Sequence, residues 1–328
     1  MNSLFGLDFT QETADIYIVP ACWELSVSYR YGTSKAPLHI LQSSYQLDLY
    51  HPAFNYAQTK GIFMPPINNA ELAVHDALCQ DSRRLIKLMD KQGALTKTAD
   101  LQCLEQLNHA HFNFLKHLET QITTQLKQGK LVGLLGGEHS VTEAAILAMA
   151  KQHSSFGILQ LDAHMDLRKC YQGFTHSHAS VMHNCLNIPQ LSNLVQVGIR
   201  DSCLDEQNVA RNDSRISVFS NYHLKKDLFE GRLWSDICDE IVSCLPEKVY
   251  ISFDIDALEA CLCPDTGTPV VGGLGFDEVF YLISKIVAAN KKIIGFDLVE
   301  VAGQADQLSC MLGARALYQL AGYASLGV

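Results

Sequence analysis

From residue 131 onward the chain alternates short, predominantly apolar runs with segments of helical periodicity, and that alternation leaves few folds open to it. The runs lie at 131–135, 158–161, 194–199, 216–219, 249–253 and 293–296, and helical segments are expected at 141–152, 228–245, 277–289 and 307–324. A strand with no polar face is covered on both sides, and strands separated by helices join in parallel. An α/β architecture therefore follows, with a parallel sheet between two helical layers. Upstream, IYIV at 16–19 reads as one more buried strand, ended by Pro20. Residues 23–37 mix aromatics with Gly32 and Pro37, which fits either a loop serving a site or a surface connection packed by its own rings. The stretch 51–70 is irregular, with Pro52, Pro65 and Pro66. Leu101, Leu104, Leu107, Phe114, Leu115, Leu118, Ile122 and Leu126 then recur at helical spacing up to Gly129. His109, His111 and His117 ride on that helix; residues two apart do not share a helix face, so solvated positions are expected for them. No linker, repeat or composition break divides the chain, which reads as one domain over 1–328 with seven or eight strands.

Four of the runs end in chemically loaded residues. GILQL passes into Asp162, His164 and Asp166, which share one face of an extended chain. LVGLL passes through Gly136 and Gly137 into His139, VYISF into Asp254 and Asp256, and IIGF toward Glu300. Parallel sheets bind their ligands beyond the carboxyl ends of the strands, so these groups converge. Four carboxylates in one crevice oppose each other's ionisation unless a cation neutralises them, and Arg168 alone is too little. Two divalent ions sharing bridging carboxylates satisfy the set. Oxygen-rich ligation with two imidazoles and no thiolate favours Mn²⁺ over Zn²⁺, Co²⁺ or Fe²⁺. Each motif by itself is also what turns and helix caps produce; their joint appearance at successive strand ends is what favours metal.

The formal net charge of −10 provides no basic footprint for nucleic acid or an anionic membrane, and suits a cationic or neutral small substrate. No basic segment precedes an apolar one at the start, and no apolar run approaches the ~18 residues of a span, so a cytoplasmic address is expected. The eleven cysteines lack the spacing of a disulfide framework and read mostly as buried thiols.

The blocks GGEHS at 136–140, DAHMD at 162–166, SFDID at 252–256, TGTPVVGGL at 266–274 and GFDLVE at 295–300 resemble the signature blocks of the ureohydrolases, the arginase and agmatinase family, in the family's order. The resemblance implies a three-layer fold with a mostly parallel eight-stranded sheet flanked by helices, a trimeric or hexameric assembly, and a binuclear manganese centre hydrolysing a guanidino compound to urea and an amine. It implies one ion held by His139, Asp162, Asp166 and Asp254, and the other by His164, Asp162, Asp254 and Asp256. Glu300 matches the acid that pairs with the guanidinium, and Thr268 a residue that touches it. His178 matches the proton shuttle, with His176 two residues away as its competitor.

The loop after DAHMD reads LRKCYQGFTHSHASV and lacks the Asn and Ser with which arginases hold an amino acid's carboxylate. It resembles bacterial agmatinases, which implies agmatine as substrate and putrescine as product. Arg168 and Lys169 keep a carboxylate-bearing substrate in view, so arginase, guanidinobutyrase and formimidoylglutamase activities stand as alternatives. Glu259-Ala260 replaces the Asp-Pro common in agmatinases. Outside the class stand amide deacetylation on a related fold, which needs one metal and has no use for Glu300, and a metal-binding protein without activity.

Overall fold

The structure, a computed structural model, describes residues 3–54 and 61–327. Eight strands form one sheet: β1 (Ile16–Ala21), β2 (Ile62–Phe63), β3 (Leu131–Gly136), β4 (Phe156–Leu161), β5 (Leu191–Ile199), β6 (Ile216–Ser220), β7 (Lys248–Asp254) and β8 (Lys292–Val299). Their order is β2-β1-β3-β8-β7-β4-β5-β6, and every pairing is parallel. Ten α-helices among the described residues cover it: α1 (Ala36–Ser43), α2 (Asn69–Gln92), α3 (Thr98–Lys127), α4 (Thr142–Ala150), α5 (Val181–Cys185), α6 (Leu204–Asn212), α7 (Asn221–Phe229), α8 (Trp234–Ser243), α9 (Phe276–Ala288) and α10 (Leu308–Ser325).

The two-residue periodicity of a strand divides its side chains between two cores. Leu159, Leu161, Ile251, Phe253, Phe296 and Leu298 face α1, α8, α9 and α10. Ile158, Tyr250, Ile294, Val132 and Leu134 face α2, α3, α4 and α5. All residues of β3 and β4 are buried, as strands without a polar face require. The expected three-layer fold with its eight-stranded sheet is the one observed.

Four expectations need correction. Pro20 does not end β1, which runs on to Ala21 with Pro20 opposite Leu135. The amide of Ile16 donates across to Gly61 O at 3.0 Å, so residues 16, 18 and 20 present their amides to the β2 side. There β2 pairs only with Ile16 and Tyr17, and the missing N–H of Pro20 costs no ladder bond. Pro37 opens α1 from its first turn, where proline fits, so the expected loop ends in a helix. The irregular stretch 51–70 contains β2 and the start of α2; residues 55–60 lie outside the described residues.

His111 is the fourth. It is buried, with Nε2 3.2 Å from Ser140 Oγ, rather than solvated. All eleven cysteines are free, six of them buried. No helix among the described residues is long and apolar enough to cross a membrane.

Candidate active site

The site is built at the carboxyl ends of β3, β4, β7 and β8. After β3 the chain must turn where β1's continuation passes close by: Gly137 N donates to Ala21 O at 2.8 Å and Glu138 N to Trp23 O at 3.0 Å. A Cβ on Gly137 would lie 1.9 Å from Trp23 O, so only glycine fits. The turn delivers His139, whose Nδ1 lies 2.8 Å from Asp166 Oδ2, 3.1 Å from Asp162 Oδ2 and 3.4 Å from Asp254 Oδ2. His164 Nδ1 lies 3.0 Å from Asp256 Oδ2 and 3.6 Å from Asp162 Oδ1. Two groups of metal-competent atoms result, His139 with Asp162 and Asp254, and His164 with Asp162 and Asp256; Asp162 stands in both.

A second layer fixes how these ligands point. Ser252 Oγ donates to Asp297 Oδ1 at 3.0 Å, so at 2.9 Å from His139 Nε2 it accepts that nitrogen's proton. The lone pair of His139 is thereby placed on Nδ1, toward the acids. Gln160 Nε2 donates to Asp162 Oδ2 at 2.7 Å and is held in turn by Gln196 Nε2 on Gln160 Oε1 at 2.6 Å. Arg200 spreads its guanidinium over the carbonyls of Gly198, Asp256, Ala257, Leu258 and Val270, tying the Asp256 turn to the loop that carries Thr268. Glu300 sits at φ 63, a left-handed conformation costly for a long side chain. It is held there because its amide donates to Gly137 O at 2.9 Å and its Oε1 accepts from His139 N at 2.8 Å.

The electrostatics ask for a cation. Burial, reinforced by the charges of Asp256 and Asp162, holds the Asp254 carboxyl well above the usual range. Burial and Asp162 push Asp166 up to about 7, and burial with Glu138 raises Glu300 strongly. Burial opposes the ionised form of Asp162, but the imidazoles of His139 and His164 outweigh it and hold that acid low. Burial likewise opposes charge on both imidazoles, yet the surrounding carboxylates raise His139 strongly and His164 to about 12. Protons thus take the places of positive charge, and ligand-bound metal displaces such protons. His139 Nδ1 and Asp256 Oδ2 are buried without a hydrogen bond despite these close neighbours, which is how donor atoms aimed at a common point look. The six residues therefore fit a pair of divalent ions.

A cavity of about 220 Å³ opens at the acids, lined by His164 and Asp166 together with His178, Thr268, Arg168, Tyr171, Tyr29, Asp201 and Glu206. Arg168 does not stand free: its Nε is 3.6 Å from Glu206 Oε2 and its guanidinium lies over the Tyr171 ring. His176 points elsewhere, with Nδ1 2.8 Å from Glu143 Oε2. Of the residues singled out from sequence, the six candidate ligands come together, His178, Thr268 and Arg168 enter the cavity wall, Glu300 abuts His139, and His176 stays outside.

The model of the arginase family matches residues 14–322. The chain belongs to the arginase family. It is similar to an N(1)-aminopropylagmatine ureohydrolase of Thermus thermophilus, 29% identical over 99% of this chain and 96% of that one. It also resembles a Bacillus anthracis agmatinase, 30% identical over 57% of this chain and 61% of the relative. Among solved structures, the agmatine ureohydrolase of Thermoplasma volcanium superposes with a TM-score of 0.71 at 21% identity, over 99% and 95% of the two chains. This arginase-family ureohydrolase carries several supporting residues to which the sequence alone assigned no role, Ser252 and Asp297 among them although they lie inside the blocks 252–256 and 295–300. Gln160, Gln196, Ser252 and Asp297 are polar residues inside apolar strands, which is the one signal that could have exposed them. Arg200 follows directly on the apolar run 194–199, a position shared with the ligands themselves.

Proposed function

We propose that this ureohydrolase holds two Mn²⁺ ions and hydrolyses agmatine to putrescine and urea. The observation that carries the substrate class is the charge of the cavity beyond the metal-binding acids: Asp201 and Glu206 accompany a single guanidinium, that of Arg168, which is already engaged by Glu206. A substrate carboxylate would enter against this field, whereas a guanidinium with a distal amine would be drawn into it. That argument sets aside arginine, guanidinobutyrate and formimidoylglutamate, and leaves Arg168 as a wall residue rather than a carboxylate anchor. The full-length likeness to an aminopropylagmatine ureohydrolase favours a second reading, in which the amine bears an aminopropyl extension.

When bound, the two ions would supply Lewis acidity that makes water a nucleophile near neutral pH. One would be held by His139, Asp162, Asp166 and Asp254, the other by His164, Asp162, Asp254 and Asp256. Glu300, buried beside His139 and against the Gly267–Thr268 loop, would pair with the guanidinium, and Thr268 in the cavity wall would touch the same group. Burial and the neighbouring His164 and His139 lower the His178 imidazole to about 3, so the ring stands neutral in the cavity wall, able to relay a proton to the departing amine.

Urea release by the Mn²⁺-loaded protein with agmatine, aminopropylagmatine, arginine, guanidinobutyrate and formimidoylglutamate tests the assignment. Turnover of either decarboxylated amine, with the carboxylates at least tenfold poorer in kcat/KM (about 1.4 kcal/mol), is the expected result. Preference for a carboxylate-bearing substrate would overturn it.

A further inference from the structure

The segment 23–28 is tied to the cavity by a hydrogen-bond chain that the proposed chemistry has not used. Glu138, the fully buried acid of the GGEHS turn, accepts from Leu25 N at 3.1 Å on Oε1 and from Ser26 N at 3.0 Å on Oε2. Ser140 Oγ donates to its Oε1 at 2.9 Å. Ser26 Oγ donates to its Oε2 at 2.7 Å, the shortest of these contacts.

A hydroxyl has one proton, and with Glu138 ionised, the form its four donors suit, that of Ser26 is committed to the carboxylate. Toward His178 the same oxygen can only accept. It accepts from His178 N at 2.9 Å and lies 3.2 Å from His178 Nδ1. For the second contact to be a hydrogen bond, Nδ1 must carry the ring proton. The basic lone pair is then on Nε2, on a ring that walls the cavity and meets Tyr171 edge-on at 6.0 Å. Ser177 Oγ, 3.4 Å from Nδ1, competes with a longer contact.

We infer that Ser26, buttressed by Glu138, is a positioning residue that fixes the main chain, the orientation and the Nδ1–H tautomer of His178. The inference rests on the reading of His178 as the proton-relaying group. It also gives the segment 23–37 a function: its first turns support the chemistry from beneath, although 152 positions separate Ser26 from His178.

The test compares Ser26→Ala, Ser26→Thr, Ser177→Ala and His178→Asn in the Mn²⁺-loaded protein, with thermal unfolding as a check that each folds. Losing a proton-relaying side chain outright costs about 10²-fold or more in kcat, so His178→Asn sets the floor, and misplacing it through Ser26→Ala is expected to cost about tenfold with KM nearly unchanged. Ser26→Thr keeps the hydroxyl and restores kcat. In ¹³C-histidine-labelled protein the His178 Cδ2 resonance, assigned by its loss in His178→Asn, should report Nδ1–H in the parent and in Ser26→Thr and shift in Ser26→Ala. A normal kcat in Ser26→Ala beside a disabled His178→Asn overturns the positioning role. So does a resonance that moves with Ser177→Ala and not with Ser26→Ala. Parental turnover by His178→Asn overturns the underlying reading of His178 instead.

Discussion

Because Asp162 stands in both metal-competent groups while Asp166 and Asp256 each serve one, three single substitutions should separate the two ions thermodynamically. A ligand present at 100 times its Kd stabilises the folded state by about 2.7 kcal/mol. With an unfolding entropy of about 2.1 cal/mol/K per residue, the 328 residues contribute about 0.7 kcal/mol/K, so each ion should raise Tm by about 4 °C and two by about 8 °C. Calorimetry of chelator-stripped protein with and without Mn²⁺, alongside metal analysis of the dialysed samples, measures both quantities. The parent is expected to hold two ions and gain the full shift. Asp166→Asn and Asp256→Asn should each hold one and gain about half. Asp162→Asn should hold neither and gain less than about 2 °C, since a neutral amide cannot bridge two cations. One ion in the parent, or an undiminished shift in Asp162→Asn, would refute the two-ion geometry and favour a mononuclear hydrolase.

Arg200→Ala strips donors from five carbonyls, and at about 1–3 kcal/mol for each one left buried and unpaired, a loss of at least about 3 kcal/mol should appear in urea unfolding, with a raised KM as the Thr268 loop loosens. Glu138 is pushed up to about 7 mainly by burial. A carboxyl whose folded pKa is raised contributes stability that is complete below about pH 4.5 and lost as pH rises through 7; the interval corresponds to about 3 kcal/mol. Glu138→Gln, which cannot titrate, should flatten that part of the stability curve between pH 5 and 8.5, and an unchanged slope would count against the assignment. Gly137→Ala drives a methyl into Trp23 O and should cost more than about 4 kcal/mol or prevent folding, visible as loss of soluble protein or of its cooperative melt.

The central sheet was legible because β3, β4, β7 and β8 are buried on both faces, so apolar residues dominate both faces of each strand up to the acids and imidazoles beyond their ends. The helix α2 was not legible. Its buried positions are His75, Cys79, Ser82, Leu85 and Ile86, only two of them aliphatic, and the apolar stripe that betrays a helix is missing. The helix α7 starts directly after β6, with Ser220 accepting from His223 N as its cap, so no loop separates the two in sequence. The burial of His111 against Ser140 depends on a partner 29 positions away and leaves no local trace. In the site, ligands were readable because several acids on one face need an external reason. Ser26 and Arg200 were not, since each acts through one or more long-range backbone contacts rather than through a patterned motif.

The strand order also constrains the sequence of events during synthesis. β8 lies between β3 and β7, yet β8 is the last strand made, so a growing chain of 290 residues has His139 at the end of one strand and Asp254 at the end of another with the slot between them unfilled. The β4–β7 pair can register beforehand, bringing Asp162, His164, Asp254 and Asp256 together, while His139 must wait for residues 292–299 to close the sheet. Under the proposed two-ion reading, ion capture would therefore be staggered: the His164 position could be completed while translation continues, and the His139 position only once that final strand has left the ribosome.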